Sequence, residues 1–221
     1  MLFRSANDAD TGQPIGFGIG SPGVSTTKAN IDLLNLTKIV SKDALILADK
    51  EHFTDKLIET ISQQMDFDLL VPAIANQRIK DIEQNTQYKH LWAGYALAET
   101  KFRFERGGSD YRMLTQREGE VEKDFAYKSF MTLKDKPAEN LLTVKYAQRW
   151  TIEDFFNFDG AMGFDRASTF NLNIRYAKMS LALLAQAATY ELRRKLPKPY
   201  DRWNATHLAD AVLGKIDGDI R

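Results

Sequence analysis

A chain of 221 residues with 43% apolar and 27% charged residues has material for a sizeable core and is neither disordered nor fibrous. Its 30 Lys and Arg balance its 30 Asp and Glu, so no overall basic excess marks a nucleic-acid binder, and the absence of cysteine excludes disulfides and thiolate zinc sites. No run of about 18 apolar residues and no basic-then-apolar leader is read, which sets the expectation of a soluble, cytoplasmic protein with no membrane partner.

From the N-terminus, residues 1–6 read as a strand, 7–12 as a turn and 14–19 as a second strand, together a hairpin with a longer loop. Residues 21–27, rich in Gly, Ser and Thr, lead into a helix striped by Ile31, Leu33, Leu34, Leu36 and Ile39. Residues 44–48 are short, apolar and bounded by charge, which predicts a buried strand ending at Asp49. Thr54 is placed to cap a helix carrying Leu57, Ile58, Ile61 and Met65, and 67–74 is a further buried strand. This βαβαβ alternation predicts an α/β fold with parallel strands.

The pattern changes after residue 76. Residues 77–100, polar with scattered aromatics, read as helix and loop. Residues 101–106, 111–115 and 125–133 read as antiparallel strands, with Phe102 alternating with Phe104. A turn over 134–138 precedes a helical region from near Leu141 to beyond Phe156, broken by Gly160 and Gly163. Residues 171–196 form a strong Ala- and Leu-rich helix whose Met179, Leu181, Leu183 and Leu184 are expected in the core, and 203–213 a last short one. Arg175, Lys178, Arg193, Arg194, Lys195, Lys198 and Arg202 face only Glu191 and Asp201 in that stretch. They are either a surface for a phosphate backbone or a solvated helix end with cations near its C-terminus.

Two acids stand out as chemistry. Asp49 closes an apolar strand, where open α/β sheets place their sites, although Asp is also a common cap or turn residue there. Glu153 sits in Trp150-Thr-Ile-Glu-Asp-Phe-Phe156 among large apolar side chains. Tyr146 and Arg149 lie seven and four residues before it, on one helical face. Arg149 either pairs with Glu153 as an ordinary helix salt bridge or grips a phosphate through both arms of its fork. Trp150 either stacks on a base or packs in the core. The three histidines, His52, His90 and His207, are isolated, so a metal would rest on carboxylates, and hard oxygen ligands suit Mg²⁺ or Mn²⁺. A competing motif is Gly18-Ile-Gly20-Ser-Pro-Gly23, a GxGxxG that would suit a Rossmann-like nucleotide-binding enzyme, with Pro22 stiffening the loop that must wrap a pyrophosphate.

Ala48-Asp49-Lys50-Glu51-His52-Phe53 resembles the second-acid motif of DDE transposases from bacterial insertion sequences, and Tyr146-x-x-Arg149-x-x-x-Glu153 resembles that family's third-acid helix signature. The resemblance implies a ribonuclease H-like mixed sheet flanked by helices, with an antiparallel β insertion and a helical C-terminal segment. Residues 1–76 would hold the first part of that core and 77–137 the insertion. Residues 138–170 would form the third-acid helix region that completes the core, and 171–221 the basic helical segment. The resemblance further implies cutting and strand transfer of double-stranded DNA at transposon ends, with Asp49 and Glu153 as catalytic metal ligands, Tyr146 and Arg149 on the DNA, and a homodimer when full length. The family's lysine falls at Gly160, and its first acid is expected upstream of residue 1, with only Asp8 and Asp10 as early candidates. The expectation is therefore a copy truncated at both ends and impaired in catalysis. The alternative is a non-catalytic remnant that binds DNA or dimerises.

Overall fold

The computed structural model describes residues 2–20, 23–39, 43–105, 108–150, 152 and 169–213. In chain order these form strands β1 (Leu2–Asn7) and β2 (Pro14–Gly20), helix α1 (Thr26–Thr37), β3 (Leu45–Leu47), α2 (Asp55–Gln64), β4 (Asp68–Pro72), α3 (Gln77–Asn85), β5 (Lys89–Trp92), β6 (Tyr95–Phe102), β7 (Tyr111–Glu118) and β8 (Ala126–Thr132). One turn of helix α4 (Ala138–Asn140) continues as a π turn, Leu141–Lys145, and a 3-10 turn, Tyr146–Trp150. Helices α5 (Leu172–Lys195) and α6 (Ala205–Leu213) follow. The chain divides into two units, Met1–Ser21 with Trp150–Arg221, and Pro22–Arg149. Among the described residues no helix is long and apolar enough to cross a membrane.

The unit Pro22–Arg149 is built on a six-stranded sheet of order β3-β4-β8-β7-β6-β5. Strands β3 and β4 run parallel, and every other pairing is antiparallel. Side chains of β4 alternate between two apolar layers, as a strand buried on both faces must. Leu69 and Val71 meet Leu57, Ile58 and Ile61 of α2 and Ile79 of α3, while Leu70 meets Leu97, Leu114, Phe130, Leu141 and Leu142. Ile58 and Ile61 are sealed from water, and each such side chain contributes about 1.5–3 kcal/mol. Helix starts are set by caps: Ser25 Oγ accepts from Lys28 N for α1, and Asn76 Oδ1 accepts from Ile79 N for α3.

The α/β class, the strand before Asp49 and the antiparallel strands expected over 111–115 and 125–133 are as the sequence predicts, while of the strand expected over 101–106 only the first two residues, the end of β6, are strand among the described residues. Two expectations are corrected. The stretch 77–100 holds β5 and most of β6 besides its helix. The parallel pairing is limited to β3 and β4. The predicted hairpin of β1 and β2 stands, among the described residues, as a two-stranded sheet separate from the six-stranded one. That last pairing also removes the nucleotide-binding fingerprint: Gly18 and Gly20 are strand residues opposite Arg4 and Leu2 in an antiparallel hairpin, not the tight turn that follows a parallel strand.

A buried polar tie holds the two halves of the sheet in register. Asp68, fully buried at the start of β4, accepts through Oδ1 from Leu69 N at 2.8 Å, Lys134 N at 3.0 Å, and Leu133 N and Thr132 Oγ1 at 3.1 Å. Lys136 Nζ lies 3.4 Å from Oδ2. Arg112 of β7 grips the same segment, donating to Lys136 O at 2.6 Å and pairing with Glu99 at 2.7 Å. On the other face, Ser129 Oγ donates to Glu83 Oε1 at 2.8 Å and lies 3.0 Å from Thr115 Oγ1, fastening α3 to β8 and β7.

In the other unit, α5 packs along the β1–β2 hairpin. Gln13 Nε2 donates to Ala187 O at 3.2 Å, Arg194 donates to Thr11 O at 3.1 Å, and Phe17 lies 4.9 Å from Tyr176, ring centre to ring centre. Gly12, at φ +70°, sits under the Tyr190 ring, where a Cβ would stand 3.4 Å from ring carbons. Asn171 caps α5 through Asn173 N and Ile174 N. Met179 and Leu183 are buried as expected, but Leu181 and Leu184 are 65% and 66% exposed. The helix is apolar on two sides, and among the described residues the side carrying Leu181 and Leu184 is exposed.

Replacing Asp68 by Ala strands several buried or part-buried N–H and O–H donors. The expected loss is about 3 kcal/mol in urea unfolding. Asp68→Asn keeps the Oδ1 acceptor and should lose clearly less.

Candidate active site

Strand β3 hands over to Asp49 one residue beyond the Ala48 N to Leu70 O hydrogen bond, 3.1 Å long, that ends its pairing with β4. Asp49 is exposed. Its Oδ1 accepts from Lys50 N at 2.6 Å and so caps the 3-10 turn Lys50–His52. Cap and site are therefore compatible readings of one residue, because a single oxygen serves the turn.

Tyr146 and Arg149 come from the turns that follow α4. Leu141 and Leu142 are buried against Leu70, Leu97 and Phe130, and this fixes where the turns start. Tyr146 then lands edge-on to Phe130, with ring centres 4.7 Å apart. A 3-10 turn eclipses residues three apart, so Arg149 stands over Tyr146, its guanidinium carbon 5.8 Å from the ring centre. Burial pushes the Tyr146 phenol above its ordinary pKa. The Arg149 charge and a side-chain hydrogen bond with Arg149 oppose that shift, and the Asp49 carboxylate adds to it. Of the four sequence-predicted residues, Tyr146 and Arg149 lie in contact, and the Asp49 carboxylate is among the influences on the Tyr146 phenol. The fourth, Glu153, lies outside the described residues.

A residue that no motif announces joins them. β8 pairs with β4 only from Phe130 onward, opposite Pro72, so its earlier residues run past the carboxyl end of β4. Lys128 is one of these. It is exposed, with Nζ 5.1 Å from the Tyr146 ring centre and 5.3 Å from that of Phe130. Among the described residues Lys128 has no carboxylate partner, and it approaches the same Tyr146 ring as Arg149. A lysine in an alternating strand carries no sequence signal. Only the Gln116–Lys128 and Pro72–Phe130 registers place it.

The remaining candidates are used elsewhere or stand outside this unit. Asp8 Oδ1 accepts from Thr11 N at 2.7 Å and Thr11 Oγ1 at 2.8 Å, an ordinary Asx turn. Trp150 is exposed rather than core. In the basic stretch, Arg175 donates to Thr169 O, Arg193 to Asp201 O, and Arg194 pairs with Glu191. Among the described residues no three acids or histidines converge. Asp49 meets the requirement of a hard oxygen ligand facing solvent at a strand end.

The family model described as the transposase DDE domain matches residues 5–187. The chain belongs to this DDE transposase family. A search of curated proteins gives no match. The match spans both units, and the mixed sheet with helices on its faces is the ribonuclease H-like arrangement of such transposase domains. Membership implies DNA as the partner and divalent ions as the usual cofactor of the family.

The electrostatic link between Asp49 and Tyr146 is directly measurable. Removing the carboxylate as Asp49→Asn removes a contribution that disfavours the phenolate, so the Tyr146 pKa should fall. Arg149→Gln should raise it, because a cation that favours the phenolate is lost. Tyrosine ¹³Cζ NMR titration, with Tyr146→Phe to assign the resonance, reads both shifts.

Proposed function

We propose that this transposase cuts and joins double-stranded DNA at transposon ends and target, with Asp49 and Glu153 as ligands of Mg²⁺ or Mn²⁺ and with Tyr146 and Arg149 on the DNA. What supports the reading is an exposed Asp49 just beyond β3, together with Arg149 and Lys128 against the Tyr146 ring. When bound, the ions would lower the pKa of an attacking water or 3′-hydroxyl and offset charge on the phosphodiester. The chain's own groups do the rest. The solvent-facing carboxylate of Asp49 supplies an oxygen ligand. The Arg149 fork holds two non-bridging phosphate oxygens, and Lys128 adds a point charge on the same strand. Tyr146, locked against Phe130, orients both cations. The protein acts as a homodimer.

A second reading has its own support. Asp8 is engaged in its turn, and no third acid joins Asp49 among the described residues. A protein with an incomplete acid set would bind DNA or a full-length transposase without cutting. Supercoiled plasmid nicking in Mn²⁺ separates the two. Cleavage that falls about a thousandfold in Asp49→Asn supports the enzyme. Cleavage untouched by that change sinks the metal-site assignment. Salt-dependent binding with no cleavage in the parent chain supports the second reading.

Lys128 is tested by binding alone. In fluorescence anisotropy on a duplex, Lys128→Ala should lower the slope of log affinity against log salt by about 0.9, the release of one counterion. An unchanged slope removes Lys128 from the DNA surface.

A further inference from the structure

We propose that Arg117 takes a backbone phosphate of DNA on the face of the six-stranded sheet opposite Lys128, with Phe125, Tyr88 and His90 holding its guanidinium in place. The cross-strand pairs His90–Ala96, Ala96–Arg117 and Arg117–Tyr127 form one row over β5, β6, β7 and β8, and paired residues share a face. Ala96 is the small member of that row. Its methyl group leaves room for the side chains on either side to meet above it, and Arg117 Nη2 donates to His90 Nε2 at 3.3 Å. A guanidinium can only donate, so Nε2 carries the lone pair and the imidazole proton sits on Nδ1. The guanidinium carbon lies 4.0 Å from the centre of the Phe125 ring and 4.8 Å from that of Tyr88. Tyr88 is itself fixed, its hydroxyl donating to Glu83 O at 2.7 Å. Phe125 is brought back over β7 by a tight turn. Gly119 has φ +122°, and a Cβ there would stand 2.7 Å from Asp124 O and 3.2 Å from the Phe125 ring. Lys128 pairs with Gln116, the neighbour of Arg117, and so belongs to the other face.

What these contacts leave open identifies the ligand. Arg103, Arg112 and Arg194 are each paired with a carboxylate, of Asp110, Glu99 and Glu191. Arg117 has no carboxylate partner among the described residues. Its neighbour Glu118 accepts instead from Gln116 Nε2 at 2.9 Å, on the opposite face. Of the five N–H donors of a guanidinium, one reaches a protein acceptor here among the described residues, and the side chain is only half-buried. A cation held by rings and a neutral imidazole keeps its full charge. It has also lost in advance much of the rotamer freedom that binding would otherwise cost. Planar donors in a fixed fork match the non-bridging oxygens of a phosphate, and DNA presents that anion as its backbone.

This inference rests on the DNA reading above but owes nothing to the metal chemistry, and its test reads one side chain instead of cleavage. The full chain, labelled with ¹⁵N-arginine, is titrated with a short random-sequence duplex without divalent ions, and NMR follows each arginine Nε–H signal. Arg117→Lys and Arg149→Lys assign two of them. The Arg117 signal should shift as duplex is added and return as salt is raised. Phe125→Leu should weaken the midpoint read at Arg117 by about threefold, because the ring that holds the guanidinium is gone. Lys128→Ala locates the phosphate. A midpoint at Arg117 that is unchanged in this variant means a second DNA segment on the Arg117 face, and a weakened one means a single duplex that reaches both faces; either supports the contact. An Arg117 signal that stays still while that of Arg149 shifts would overturn the proposal and leave the DNA reading intact. If no arginine signal moves at any duplex concentration, the DNA reading falls with it. A Phe125→Leu chain that melts at a lower temperature but keeps the parent's midpoint at Arg117 would assign the ring contact to packing alone and overturn the holding role.

Discussion

The carboxylate of Asp68, shut away from water at the start of β4, gathers Thr132, Leu133 and Lys134 around one oxygen and draws Lys136 to the other. A charge in that position is tolerable only because each donor is in place, and the donors are in place only when β8 runs in one register against β4. A slip by one residue would turn Phe130 from the α4 layer to the α2 layer, and Lys128 with it. Arg112 reinforces the choice from β7 by holding the Lys134 and Lys136 carbonyls. The chain therefore leaves the sheet at a fixed point, and the turns carrying Tyr146 and Arg149 begin a few residues later.

The candidate site is an outcome of that register. Phe130 supplies the surface that receives Tyr146, Tyr146 supplies the surface beneath Lys128, and Arg149 stands one 3-10 turn along. Lys128 and Arg149 each lie against the Tyr146 ring. They are held by packing of their stems and by ring faces, and so present a positive rim beside an exposed acid. Such a rim suits an anion that carries both a charge to neutralise and oxygens to share, as a phosphodiester does.

Some elements of the sheet and its helices were legible in the sequence and others were not. The apolar run ending at Asp49 was readable because charge bounds it on both sides, and α2 was readable because Leu57, Ile58 and Ile61 recur at helical spacing. Strands β5 and β6 were not. Lys89–Trp92 is largely exposed at the sheet edge, and Ala96, Leu97 and Ala98 are buried consecutively, so alternation is lost and alanine reads as helix. In α5 the helix itself was legible from its composition, but not the side it buries. When apolar residues circle a helix, periodicity cannot say which stripe meets a partner, and Leu181 and Leu184 fell on the other one. Lys128 was invisible for a different reason. Its neighbours come from strand register and from a π turn followed by a 3-10 turn, neither of which leaves a mark in residue type.

The double duty of Asp49 bears on how this position can change over generations. As a cap for the turn that follows β3, the site would accept Asn or Ser with little loss, because either offers an oxygen to Lys50 N. Drift under folding constraint alone would therefore pass freely among those residues. An ionised oxygen is required only if a cation is to be held there. An acid at 49 across related chains would thus record selection on charge, and an Asx or hydroxyl residue there would mark a lineage that kept the turn after it had given up the chemistry.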